Sequence, residues 1–175
     1  MNEPAGQTVD SFTDRFGALR WLAVAAIVIG FDQWTKLLII ENFAEFDSVV
    51  LLPVLEFMRL HNEGAAFSFL AGASGWQRWL FIVLGIGVSI GIAVWLYKLP
   101  ARGQSLLAAA LSLVMGGALG NVIDRVRFGY VVDFIRVHYE QWYFPAFNIA
   151  DSAITVGAAL LILDSLLYAK SGAGS

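Results

Sequence analysis

The stretch FPAFNIADSAITVGAALLILDSLLYA, Phe144–Ala169, decides what kind of chain this is. Beyond Asn148 it stays apolar for about 20 residues, the length an α-helix needs to cross the hydrocarbon of a bilayer. Yet Asp151 stands in its first turn and Asp164 in its second half. A carboxylate is costly in such surroundings, so each calls for a reason to be there.

Three more stretches have the same length and character: Leu22–Ile40, Trp79–Leu96 and Leu106–Ile123. The first is broken by Asp32 and Lys36, the second carries no charge, and the third is rich in Ala, Leu and Gly. Trp and Tyr residues flank the runs, as interfacial anchors do. Composition agrees, with 58% hydrophobic and 14% charged residues among 175 and a mean hydropathy of +0.70. A soluble domain is about 25% charged. The expectation is a mainly α membrane protein, a single membrane domain over residues 1–175 with four transmembrane helices near 22–40, 79–96, 106–123 and 149–169. Residues 1–20 read as a loose cytoplasmic tail.

Four spans place both termini on one side. Lys98 and Arg102 in the short connection YKLPARGQ, with Arg20 beside the first span, favour that side being cytoplasmic. The longer connections, about 41–77 and 124–147, then share the outer face. Both contain strand-like pieces, VVLLPVLEFMRL and GYVVDFIRVHY. In the second, alternation puts Val131, Asp133, Ile135 and Val137 on one face. Three glycines between Gly64 and Gly75 beside apolar residues suggest a segment that moves to admit a substrate.

The net charge of -3 gives no case for nucleic acid. With no cysteine there is no disulfide, thiolate nucleophile or thiolate metal site. Two histidines without H-E-x-x-H, no G-x-S-x-G elbow (the string GVSIG, Gly87–Gly91, falls inside an apolar span) and no P-loop leave no expected metal or cofactor. A Ser-His-Asp set through His138 stays open without support.

The acids carry more. Asp151, three residues after Asn148, suits a capping-box-like helix start. Capping does not account for Asp133, which could instead pair with Arg136 or Arg125. Two carboxylates sharing a site cannot both ionise easily, so one keeps its proton near neutral pH. That arrangement activates water with one group and protonates a carbonyl oxygen or leaving amine with the other. Asp32 and Lys36, at i and i+4, read as a structural ion pair facing the bundle. Gly116 and Gly120 form a G-x-x-x-G pair for close helix packing. Asn121 and Arg125 read as a polar brace, and Asn62 with Gly64 as either an ordinary turn or a loop holding an extended peptide.

Five blocks in order, DQWTK, NEGAAFSF, GGALGNVIDR, VVDF and FNIADSAI, resemble the lipoprotein signal peptidases, or signal peptidase II. The resemblance implies an aspartyl endopeptidase of the bacterial inner membrane that cleaves prolipoproteins before a diacylglyceryl-modified cysteine. It implies catalysis by Asp133 and Asp151, a site lined by Asn62, Gly64, Asn121, Arg125 and Asn148, and structural roles for Asp32, Lys36 and Asp124. It further implies a small β-cradle and short helix on the outer (periplasmic) face, contact with membrane lipid, and inhibition by globomycin-type cyclic peptides. The alternative is a small proton-coupled transporter or channel. A conduction path needs polar residues through the full depth, whereas these acids gather toward one face.

The topology is testable because the chain has no cysteine of its own. A Gln104→Cys protein is expected to resist an impermeant thiol reagent added outside the cell, while Ser74→Cys and Gln141→Cys react. The opposite pattern inverts the topology.

Overall fold

The computed structural model describes residues 17–64, 75–100 and 103–172. The tail before Gly17, most of the expected moving segment together with Ser74 (65–74), and Arg102 lie outside them. Helix α1 is Leu22–Asn42, entered through a 3-10 turn at Gly17–Trp21; α2 is Trp76–Lys98, α3 Ser105–Arg127 and α4 Ile149–Gly172. All four contain spans long and apolar enough for a bilayer. The helices outrun the apolar stretches because polar ends such as Asn42, Lys98 and Arg127 continue the helix toward headgroup depth. Their outer surfaces expose large apolar side chains, Ile27 at 70% and Val83 at 68%, as lipid-facing helices do.

Strands β1 (Ser48–Leu52) and β2 (Leu55–Asn62) follow α1, and β3 (Val131–Tyr139) and β4 (Trp142–Tyr143) lie between α3 and α4. They form one antiparallel sheet in the order β1-β2-β3-β4. The β2–β3 pairing therefore ties together the two long connections, at the end where α1 and α3 finish and α2 and α4 begin. The cradle expected from the sequence is this sheet. Among the described residues no short helix accompanies it.

The alternation in β3 sends Val132 and Phe134 one way and Asp133 the other, and both faces are buried at its start. Val131, Val132, Asp133 and Phe134 are all buried. The strand is covered on both faces there: Val132 and Phe134 pack with Ile39 of α1, while Asp133 turns to polar groups from β2 and α4. Arg136 pairs with Glu56, its cross-strand neighbour, and not with Asp133. Arg59 of β2 donates to the carbonyls of Ile40 and Phe43, satisfying the open end of α1.

Helix α3 is central, packing on α1, α2 and α4, while α2 and α4 barely touch each other. Small residues make this possible. A Cβ on Gly116 would stand 2.9 Å from the Ala25 carbonyl oxygen of α1, and one on Gly120 would stand 2.8 Å from Asp32 Oδ2. Gly117 faces α4, where a Cβ would collide with the Ala150 carbonyl oxygen and the Ile154 side chain. Gly91 of α2 has nothing within 4 Å.

These positions separate packing from helix propensity. Gly117→Ala is expected to lower thermal stability in detergent by about 1–3 kcal/mol through overpacking against a backbone carbonyl. Gly91→Ala should leave the melting temperature unchanged or raise it. Equal tolerance at both sites would contradict the close α3–α4 contact.

Candidate active site

Asp133 enters from β3 and is only 3% exposed. Its Oδ2 accepts a hydrogen bond from Asn62 Nδ2 at 2.9 Å and its Oδ1 one from Asn148 Nδ2 at 2.7 Å. Burial, followed by the nearby Asp151 charge, pushes its pKa up to about 7, against the partial relief those two amides provide.

Asp151 belongs to the first turn of α4. Its Oδ1 accepts from Asn121 Nδ2 at 2.8 Å, and its Oδ2 accepts from the Asn148 backbone N–H at 3.3 Å. Asn148 Oδ1 in turn accepts from the Asp151 backbone N–H at 2.9 Å. This is a reciprocal capping box. The capping reading of Asp151 holds, and the cap residue Asn148 also connects it to Asp133. Fully buried Asn148 contacts both carboxylates and donates weakly to Asn121 Oδ1 at 3.2 Å.

Beneath these groups lies Lys36. Its ammonium is 2.9 Å from Asp32 Oδ2, 2.9 Å from Asp124 Oδ2 and 3.1 Å from Asn121 Oδ1. The expected ion pair is therefore a three-residue ionic cluster including Asp124. Its carboxylates also hold backbone donors: Asp32 Oδ1 accepts from Ala150 N–H at 2.9 Å, and Asp124 Oδ2 accepts from Val132 N–H at 3.1 Å. Each held amide is one residue before an acid of the pair, Ala150 before Asp151 and Val132 before Asp133. Lys36 also fixes Asn121, whose amide contacts Asp151.

Gln33 was not singled out from the sequence, yet its amide donates to Asp124 Oδ1 at 2.7 Å and to Asp32 Oδ2 at 3.2 Å. Its place inside DQWTK is the available signal. The brace expected between Asn121 and Arg125 takes a different form. Arg125 Nη1 donates to the Asn121 carbonyl oxygen at 3.3 Å, and the guanidinium lies over the Phe81 ring, 4.8 Å from its centroid. Its Nε has no partner among the described residues. The backbone N–H of Gly64 donates to Asn62 Oδ1 at 2.9 Å. Gly64 thus closes a turn that aims the Asn62 amide at Asp133, at a φ of 100° that favours glycine. Even with a strained backbone, a Cβ there would meet the Phe81 ring. His138 stacks on Tyr143, away from the acids.

The same arrangement has known relatives. A family model described as "Signal peptidase (SPase) II" matches residues 24–167. The lipoprotein signal peptidase of Pseudomonas aeruginosa is 52% identical over 161 residues, covering 91% of this chain and 95% of that protein. That of Shewanella halifaxensis is 50% identical over 152 residues, with 87% and 89% covered. A solved bacterial membrane enzyme, determined by the in meso method at 2.3 Å resolution, superposes with a TM-score of 0.75 at 35% identity, covering 87% of this chain and 90% of its own. Four spanning helices and these relatives define a multi-pass bacterial membrane peptidase. The chain belongs to the signal peptidase II family.

Asp133 also predicts a pH dependence of stability. Its folded pKa, about 7, lies above the ordinary 3.8. Between those values the folded protein holds a proton that the unfolded chain has released. Its contribution is therefore full below pH 3.8 and falls as pH rises toward 7. The melting temperature of the wild type should drop relative to that of Asp133→Asn between about pH 4 and 7. Parallel curves would show that Asp133 ionises normally.

Proposed function

We propose that the protein removes signal peptides from prolipoproteins, cutting before the diacylglyceryl-modified cysteine with water activated between Asp133 and Asp151. The observation that carries this reading is Asn148, which hydrogen-bonds both carboxylates while one of them holds its proton near neutral pH. The names of the relatives supply the substrate class.

The two acids sit in different surroundings. Asp151 accepts from a backbone N–H at the positive end of α4 and from the Asn121 amide, an environment that stabilises a carboxylate anion. Asp133, buried in β3, is the natural holder of the proton. In the proposed reaction Asp151 takes a proton from water as the water oxygen bonds to the scissile carbonyl carbon. Asp133 gives its proton to the carbonyl oxygen. The resulting diol collapses, the C–N bond breaks, Asp151 returns its proton to the leaving amine, and Asp133 recovers its own from the diol. General acid–base help of this kind is worth about 10²–10⁴-fold in rate.

Asn62, Asn121 and Asn148 position the acids, and Gly64 positions Asn62. Arg125, partly exposed and laid over the Phe81 ring, lines the site on the α3 side. The ionic cluster of Asp32, Lys36 and Asp124 serves as scaffold. The site faces the outer side of the inner membrane, the termini face the cytoplasm, and globomycin-type cyclic peptides compete for the same cleft. The bundle and outer sheet act as one membrane domain.

The test is turnover of diacylglyceryl-modified prolipoprotein, normalised to folded protein. Asp133→Asn and Asp151→Asn are each expected to abolish cleavage while the protein inserts and folds. If the acids act on one water as a unit, the double mutant will be hardly worse than either single. A purely capping Asp151 predicts instead a loss of about 1 kcal/mol of stability with normalised activity intact. Substantial normalised activity in either single mutant would end the two-aspartate mechanism.

A further inference from the structure

Because α2 and α4 each pack on α3 and barely on one another, a seam runs between them with α3 as its floor. Two cavities lie along it. One, of about 350 Å³, has Phe81 and Val88 of α2, Asn121 and Arg125 of α3, and Ile154 of α4 in its wall, so it reaches Asn121, whose amide donates to Asp151. The other, of about 610 Å³, lies at the opposite end, between Trp95 of α2, Leu107 of α3, and Leu161, Asp164 and Tyr168 of α4. The first is apolar away from the active site, whereas the second carries a carboxylate.

That carboxylate is otherwise unexplained. Asp164 lies within a spanning helix, and its side chain has no ion-pair or hydrogen-bond partner among the described residues. It is also the acidic group of that end of the bundle among the described residues, where the charged neighbours Arg20 and Lys98 are basic. An unpaired charge within a span marks a functional position.

We infer that the α2–α4 seam is the berth of the substrate's signal peptide, and that Asp164 receives the basic residues at the peptide's N-terminal end. This rests on the signal-peptidase reading above and names how that substrate is held along its length. Signal peptides begin with a positively charged segment, continue through 7–15 apolar residues and end at the cleavage site. As a helix, that apolar part spans about 10–22 Å. Asp151 and Asp164 are 13 positions apart on α4, or about 20 Å at 1.5 Å per residue. With the scissile bond at the dyad, the apolar segment lies along the seam and the basic end reaches Asp164. The charges are complementary, and the seam supplies apolar walls in between. Asp164 is thus a specificity residue, remote from the reacting atoms.

The test couples enzyme to substrate. Wild type and Asp164→Asn are assayed in liposomes on a diacylglyceryl-modified prolipoprotein with Lys in its basic segment, and on one with those Lys changed to Gln. Asp164→Asn is expected to raise KM for the basic substrate by about 5-fold with kcat held. The Gln substrate should show no such dependence on position 164, and Asp164→Lys should prefer a substrate carrying Glu there. A KM change of equal size for both substrates overturns the proposal. A second arm does not need turnover. In an Asp133→Asn background, Ser165→Cys should form a disulfide under mild oxidation with a cysteine in the basic segment, while Ser152→Cys, beside the dyad, should not. Turnover with neither coupling nor crosslink removes the berth and leaves the peptidase. A crosslink at position 165 without wild-type turnover removes the peptidase reading and leaves the berth.

Discussion

The ammonium of Lys36 is the group on which the arrangement depends. It is buried inside a bilayer-spanning bundle, where an uncompensated ion costs several kcal/mol. It is matched by two carboxylates and an amide oxygen, all close to 3 Å away. Those partners are in turn committed elsewhere. Asp32 holds the amide before Asp151, Asp124 holds the amide before Asp133, and Asn121 reaches Asp151 itself. Neutralising one cation thereby sets the backbone next to both Asp133 and Asp151. The buried cluster is a fixing device, a role in which ionic groups give geometry more readily than net stability.

The cluster closes only because α3 lacks bulk where it meets its neighbours. Gly120 leaves room for the Asp32 carboxylate, and Gly116 lets the backbone of α1 come close enough to bring Lys36 within reach. Close packing also keeps water out, and exclusion of water is the larger cause of the raised Asp133 pKa. Packing, scaffold and proton affinity are therefore one problem. A looser bundle would weaken all three together.

The helices were legible because a bilayer demands about 20 apolar residues in a row. Asp133 and Asp151 stood out as carboxylates in apolar runs, and the β-branched pieces around them marked strands. The rest left weaker traces. Asp32 and Lys36 showed their pairing through i, i+4 spacing, but their link to Asp124 is long-range, and bonds to the amides of Ala150 and Val132 have no sequence signature. Strand alternation assigned the faces of β3 but carried no sign that the face of Val132 and Phe134 is also covered, by α1. The Arg136 partner followed from the β2–β3 register, which sequence does not specify here. Asn62 and Gly64 read equally as a turn or as a peptide-holding loop because a turn glycine reads the same whether its N–H is free or bound to Asn62.

The bond from Asp32 to Ala150 joins the first helix to the last. A ribosome delivers these helices in order. When α1 emerges, its acid and base neutralise one another across one helical turn, which eases its entry into lipid as a lone segment. Asp124 arrives with α3, and the amide of Ala150 and the carboxylate of Asp151 arrive only with α4. Every nascent form short of the whole bundle lacks one of the two acids. The pairing of the two acids is thus withheld until synthesis is nearly finished, and a truncated product left in the membrane carries the Lys36 scaffold without both of them.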